Sequence, residues 1–163
     1  MTTASHTTAS GADNARAKLA TIEAMYELER LAILWSSGGE LFAMSPDASE
    51  LLTDNGIDYD KDDLEPDHLR DVAWDACRSQ CLGVDYSATW SAGSDFNGEP
   101  DSFKVWLSVG GPSCWITGDF GLHGSVDSDS LRFWFSWASA SDFLPLTDAE
   151  REALTWFVNE VCA

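Results

Sequence analysis

Hydrophobic residues in the first third of the chain recur at the spacing of an α-helix. Between Asp13 and Trp35 they fall three or four residues apart, and this pattern predicts one long helix. Its apolar side is formed by Leu19, Ile22, Met25, Tyr26, Leu28, Ala32 and Ile33. The pair Gly38-Gly39 predicts the end of the helix, because glycine is favoured just after a helix C-terminus. Ser45-Pro46-Asp47 then predicts a capped short helix that runs to about Thr53.

A second strongly two-faced helix is predicted from about Asp67 to Cys81. At 100° per residue its apolar residues share one side, namely Leu69, Val72, Ala73, Ala76 and Cys77. Three aspartates spaced four apart fall on the other side, and these are Asp67, Asp71 and Asp75. Trp74 projects beside the aspartates, so the pattern predicts an aromatic side chain within an acidic surface.

After Gly83 the hydrophobic period changes to two, which is typical of β-strands. Alternating segments begin at Tyr86, Phe103, Cys114 and Leu131, and short polar connections favour an antiparallel meander of three or four strands. A capping box, Thr147 to Glu150, then predicts a final amphipathic helix to Cys162.

Together these elements predict an α+β fold with N-terminal helices, an antiparallel sheet and a C-terminal helix packed on the sheet. We expect residues 1–11 to form a disordered tail, because they are rich in threonine, serine and alanine. Residues 12–82 form an acidic helical region, and residues 83–163 form the sheet with the last helix. The length of 163 residues predicts one compact domain overall.

Alternation along the strands places three tryptophans on the face of the sheet opposite its core. Trp106, Trp115 and Trp134 share this face, whereas residues such as Val105 and Phe133 point to the core. A stacking platform for bases or sugars is one interpretation. We favour a second packed layer under the N-terminal helices, because an exposed aromatic patch promotes aggregation.

Negative charge is concentrated in the middle of the chain. The net charge is −19, and sixteen of the 28 acidic residues lie between Glu40 and Asp101, where Lys61, Arg70 and Arg78 are the basic residues. Such a segment repels phosphates, which argues against direct nucleic-acid binding and favours a positively charged partner. The absence of a long apolar run or a recognisable secretory signal predicts a cytoplasmic protein with no membrane contact.

The sequence offers no convincing catalytic or metal-binding motif, so we expect a protein that is not an enzyme and needs no cofactor. Its histidines complete no nucleophile–base pattern, and no phosphate-binding glycine loop is present. A zinc site built from Cys77, Cys81 and His68 lacks a fourth ligand. A calcium loop that begins at Asp58 lacks the required glycine and final glutamate. The four cysteines are expected to be reduced and mostly buried.

The acidic surface is therefore the candidate binding site. Carboxylates four residues apart on a helix lie about 6 Å apart along its axis, close to the roughly 6.8 Å of two nucleotide steps. The aspartates of the 67–81 helix thus match the spacing of alternate phosphates. The predicted partner-binding residues are Asp58, Asp60, Asp62, Asp63, Glu65, Asp67, Asp71, Trp74 and Asp75.

The C-terminal half resembles small acidic proteins of phages and plasmids. The resemblance covers about residues 102–163 and is carried by Leu107-Ser108-Val109-Gly110-Gly111-Pro112, by Ile116 and Gly118, and by the aromatic strand that ends at Trp137. In size and charge the chain is similar to anti-CRISPR and anti-restriction DNA mimics of mobile elements. This resemblance implies an inhibitor of host defence that occupies the basic nucleic-acid channel of a CRISPR effector complex in the host cell.

An immunity protein or antitoxin that neutralises a basic toxin, such as a nuclease, is the alternative function. Both classes are small, acidic and cytoplasmic, and both bind a cationic partner through carboxylates. The sequence does not separate them, nor does it separate a monomer from a homodimer.

Overall fold

The computed structural model describes residues 4–39, 43–57, 64–88, 100–110, 112–121, 124–137 and 140–162. The helices are α1 (Ala4–Ser36), α2 (Pro46–Asp54), α3 (Pro66–Gln80) and α4 (Asp148–Cys162). The strands are β1 (Gly83–Ser87), β2 (Ser102–Ser108), β3 (Ser113–Asp119), β4 (Arg132–Trp137) and β5 (Ala140–Leu144), with a 3-10 turn at Ser128–Ser130. The predicted α+β class is confirmed.

Helix α1 is the central element of the core. It contacts α2, α3 and α4 as well as strands β4 and β5, so apolar side chains are needed on several of its sides. Those that become fully buried include Leu19, Ile22, Met25 and Leu28. Ile33, which we expected on the apolar side, is instead 52% exposed, while its neighbours Leu31 and Ala32 are buried, so Ile33 lies on the outer side of this turn.

The start of α1 corrects the expected disordered tail. The helix begins at Ala4 and includes most of the segment assigned to that tail. Gly11 is buried, and a Cβ atom added there would lie 3.1 Å from the ring of Phe135. The absence of a side chain at Gly11 therefore allows the helix to approach β4 closely, which composition alone did not reveal.

The sheet is an antiparallel meander in which the five strands pair in chain order. Its register aligns Val105 with Ile116 and Ile116 with Phe133, so the core residues of three strands meet in one row. The count exceeds the expected three or four because β5 had not been predicted. Strand β1 starts at Gly83, earlier than expected, and Trp90 of the predicted strand lies outside the described residues.

In the described part of the chain the four helices lie on one face of the sheet. Residues of α1, α2, α3 and α4 share a single buried cluster with the strand residues Phe103, Val105, Ile116 and Phe133. Trp106, Trp115 and Trp134 point to the other face and remain partly exposed. Our expectation that the tryptophans lie under the N-terminal helices is therefore wrong, because those helices cover the opposite side.

Helix α4 begins with the predicted capping box. The backbone N–H of Thr147 donates to Oε2 of Glu150 at 2.6 Å, and the N–H of Glu150 donates to the Thr147 hydroxyl at 3.3 Å. The backbone of α4 lies closest to α1, α3 and the 3-10 turn, whereas the backbone of α1 also lies close to β4 and β5. Helix α1 is therefore the helix that lies most directly on the strands. None of the described helices has the length and apolar character needed to cross a membrane.

We predict that Gly118→Ala destabilises the fold. A Cβ atom at this buried position would lie 2.6 Å from Cζ of Phe103 and 3.1 Å from Cδ2 of Leu131, and both side chains are held in the core. Overpacking of this kind costs about 1–3 kcal/mol, measurable as a lower urea midpoint by tryptophan fluorescence. Gly121→Ala is the matched control, since its nearest contact would be 3.6 Å. Equal midpoints for the two variants would contradict the prediction.

Candidate functional site

Helix α3 presents its predicted partner-binding residues to solvent. Pro66 occupies the first turn, where a missing N–H is tolerated, and the backbone N–H of Glu65 donates to Nδ1 of His68 at 3.2 Å. The five predicted apolar residues of this helix are all buried. Burial of that side turns the opposite side outward, where the α3 row is exposed, namely Asp67, Asp71 and Asp75.

Two of the three carboxylates in the α3 row have an arginine partner on the same helix. Nη1 of Arg70 lies 4.0 Å from Oδ1 of Asp67, and Nη1 of Arg78 lies 3.5 Å from Oδ1 of Asp75. Within the described ranges no ion pair is formed by Asp71. The row is therefore a partly compensated line of charge, weaker than the uninterrupted one expected from the aspartates alone.

Trp74 lies within this surface as predicted, with 38% of its area exposed. It borders a cavity of roughly 220 Å³ between α3 and α4, which is also lined by Cys77, Arg78 and Glu160. An indole beside a carboxylate offers both apolar contact and charge. These properties suit an anchor for a partner side chain.

A buried carboxylate of α1 contacts helix α3 on the side opposite the α3 row. Glu29 of α1 is 8% exposed and accepts a hydrogen bond of 3.4 Å from Nε of Arg70, while its Oε2 atom has no hydrogen-bond partner among the described residues. Burial, and then the charge of Glu29, raise the pKa of Glu160, and Arg78 acts in the opposite direction. Negative charge is thus crowded at the α3–α4 junction.

Helix α2 carries a second acidic row that the sequence analysis missed. Its exposed carboxylates are three and four residues apart and so lie on one side of the helix, and we call Asp47, Glu50 and Asp54 the α2 row. They border a groove of roughly 390 Å³ whose other wall is formed by small residues of α1 such as Ala17 and Ala20. In the described part of the chain no cation pairs with them. Their helical spacing is present in the sequence and could have predicted this row, but the site prediction was based on the denser acidic run that begins at Asp58.

Asp47 of the α2 row makes a small contribution to the electrostatics of Glu23 on α1. Burial, followed by the charge of Glu150, raises the pKa of Glu23 on α1, and Asp47 contributes in the same direction. Arg16 opposes the shift but is already bound to Glu150 at 2.7 Å. Carboxylates of α1, α2 and α4 therefore influence one another across this side of the molecule.

Of the remaining predicted acidic residues, the structure describes Glu65. Asp58, Asp60, Asp62 and Asp63 lie outside the described residues, and so does the first half of the calcium loop that the sequence analysis rejected. Glu65 is exposed at the start of α3, adjacent to the α3 row.

The cysteines are free thiols, as expected. Cys77 and Cys114 are buried, and burial raises the pKa of Cys77 to about 12, which keeps it protonated at neutral pH. Nδ1 of His68 already accepts the Glu65 N–H, and the described residues contain no cluster of three potential metal ligands. The zinc hypothesis therefore gains no support from the geometry.

The exposed face of the sheet carries a continuous line of aromatic rings. The register pairs Trp106 with Trp115, Trp115 with Trp134, and Trp134 with Phe143, and we call these four residues the aromatic row. Successive ring centroids lie 5.7, 6.2 and 5.4 Å apart. Nζ of Lys104 lies 3.5 Å from the Trp106 centroid, and desolvation lowers the pKa of this lysine.

No family model, curated protein or solved structure matches this chain. Functional inference consequently depends on the surfaces themselves.

We predict that Glu160→Gln raises stability at about pH 7 and flattens its pH dependence. Because the pKa of Glu160 is raised above its ordinary value of 4.5, the folded state binds the proton more tightly than the unfolded state. The stability contributed by this group is greatest at low pH and declines as pH rises through the raised pKa. Urea midpoints measured between about pH 4.5 and 7 would show this decline in the wild type and a smaller one in the variant.

Glu50→Gln is the matched control, because Glu50 and Glu160 are both exposed, but Glu50 lies on α2, away from Glu29 and Arg78 at the α3–α4 junction. Identical pH profiles for the two variants would contradict the role assigned to Glu160.

Proposed function

We propose that this protein is a non-catalytic inhibitor that binds the basic, nucleic-acid-binding surface of another protein and thereby blocks nucleic-acid binding. A host-defence effector complex of the CRISPR type is the partner that we favour. The observation that supports this most is the imbalance between available anions and available cations on the helical side of the molecule.

All eight basic side chains in the described ranges are already engaged within the chain. Three arginines contact carboxylates, namely Arg16, Arg70 and Arg78. Arg132 and Arg151 donate to backbone carbonyls of the 3-10 turn and its neighbour. Lys18 donates to Gln80, and Arg30 and Lys104 lie over aromatic rings. Carboxylates are therefore the groups left for a partner to contact.

The helical surface offers those carboxylates at regular intervals. The α2 row and the α3 row follow helical spacing, so neighbouring carboxylates lie about 5–6 Å apart along each axis. A protein that grips phosphates through lysine and arginine would find acceptors at comparable intervals. The net charge of −19 adds long-range attraction that accelerates the encounter.

The acidic rows give the first prediction for binding. A triple variant of the α3 row (Asp67→Asn, Asp71→Asn and Asp75→Asn) and one of the α2 row (Asp47→Asn, Glu50→Gln and Asp54→Asn) should each weaken partner binding about tenfold at low salt, since three exposed ion pairs are lost. The α2 variant should lose at least as much, because its carboxylates have no internal arginine partner in the described structure. Fold stability should change little in either variant, since relief of like-charge repulsion offsets the loss of the weak, exposed Asp67–Arg70 and Asp75–Arg78 contacts.

The assay is competition between this protein and labelled target DNA for a purified CRISPR effector complex, at about 50 and 500 mM salt. The control variant removes three exposed carboxylates that lie outside α2 and α3, Asp119→Asn, Asp129→Asn and Asp142→Asn. If the control weakens binding as much as the row variants, the contact depends on overall charge and the assigned surface is wrong. A pull-down with this protein as bait gives a second test, and failure to retain any basic protein at low salt would overturn the proposal. Inhibition of a nuclease toxin by this protein would instead indicate the immunity function.

Trp74 gives a second binding prediction. Trp74→Ala should weaken partner binding by about 30-fold, with little change in its salt dependence, because an aromatic anchor contributes apolar contact rather than charge. Phe143→Ala is the control, since Phe143 is also an exposed apolar residue but lies on the sheet face opposite the helices. The same assay applies, and equal affinities for the two variants would remove Trp74 from the interface.

A further inference from the structure

The aromatic row forms a surface that can be buried at low polar cost. The Trp106 Nε1–H donates to Oδ2 of Asp85 at 2.7 Å, and the Trp134 Nε1–H donates to the hydroxyl of Thr117 at 2.9 Å. These two indole donors are therefore satisfied before any partner arrives, so covering the rings leaves neither of them unpaired. Such a surface is suited to apolar contact with another protein.

The charges beside the aromatic row balance. The strand residues that share this face include two acids, Asp85 and Asp119, and two bases, Lys104 and Arg132, as the register shows. The chain as a whole carries −19. Two copies of this chain repel each other through their helical sides, and the sheet face is where they can approach with least repulsion.

The area of the face limits the strength of such a contact. Five strands about 4.8 Å apart and about 20 Å long make a face of roughly 500 Å². Two such faces bury roughly 1,000 Å², which is at the low end for a specific interface. A weak dimer, with a Kd on the order of 10–100 µM, is expected from this area.

We propose that two copies of this chain associate face to face through their aromatic rows, with the sheets about 10 Å apart and related by a two-fold axis. The rings of one copy cover those of the other, which removes the aromatic patch from water. This inference does not depend on the proposed inhibitor function, because it concerns the opposite side of the molecule.

Sedimentation equilibrium between about 5 and 500 µM protein tests the dimer directly. The wild type should approach twice the 17.8 kDa chain mass at the upper end, and about 1 M salt should strengthen association by screening the net charge. Phe143→Lys and Trp115→Lys should each raise the dimer Kd at least tenfold, since each places an unpaired ammonium in the contact. Phe143 is 47% exposed, so we expect Phe143→Lys to fold even if Trp115→Lys does not.

Val109→Lys is the control, because Val109 is 67% exposed just beyond the end of β2 and outside the aromatic row. A wild type that sediments as a monomer at every concentration overturns the proposal, and so does a Phe143→Lys variant that dimerises like the control. Tryptophan-fluorescence titrations with an oligothymidine and with a cello-oligosaccharide should show no change. Saturable quenching by either probe would instead assign the row to base or sugar stacking and contradict the dimer.

Discussion

The packing of α1 between the sheet and the other helices determines the organisation of this protein. A single sheet covered on one face by helices has a two-layer core, and here α1 contacts the strands as well as α2, α3 and α4. Because α1 supplies buried residues to all these contacts, the other helices are placed on its flanks and not on the far side of the sheet. The molecule consequently has two unlike surfaces, the acidic outside of the helices and the aromatic outside of the sheet.

These two surfaces differ in the kind of interaction that they support. On the helical side, carboxylates at helical spacing attract a cationic partner over long range, and the attraction is sensitive to salt. On the sheet side, balanced charges and aromatic rings favour short-range apolar contact that salt does not weaken. A protein with this division can bind a basic partner on one side while a second copy covers the other, since the two contacts do not compete for the same residues.

Much of the fold could be predicted because local patterns and tertiary packing agree. The two faces of α3, the proline-capped start of α2 and the capping box of α4 were each encoded within a few neighbouring residues. Strand β5 could not be predicted in this way, because Ala140–Leu144 is short, does not alternate apolar and polar residues, and is held by pairing with β4. The location of the tryptophans was also out of reach, since alternation shows which residues share a face but not which face the helices cover.

For the candidate site, the sequence gives the positions of carboxylates, whereas the structure shows which of them are available. A surface ion pair contributes at most about 1 kcal/mol, so a partner's cations can displace Arg78, whose side chain is 73% exposed, from Asp75. Arg70 is held by the buried Glu29 through Nε, and its Nη1 atom lies 4.0 Å from Asp67, so a partner can take over Asp67 while Arg70 stays with Glu29. Within the α3 row we therefore expect availability to a partner to decrease from Asp71 to Asp67 to Asp75. The α2 row has no cation to displace among the described residues, and for this reason we propose it as part of the interface even though its acidic residues are less densely spaced than those that follow Asp58.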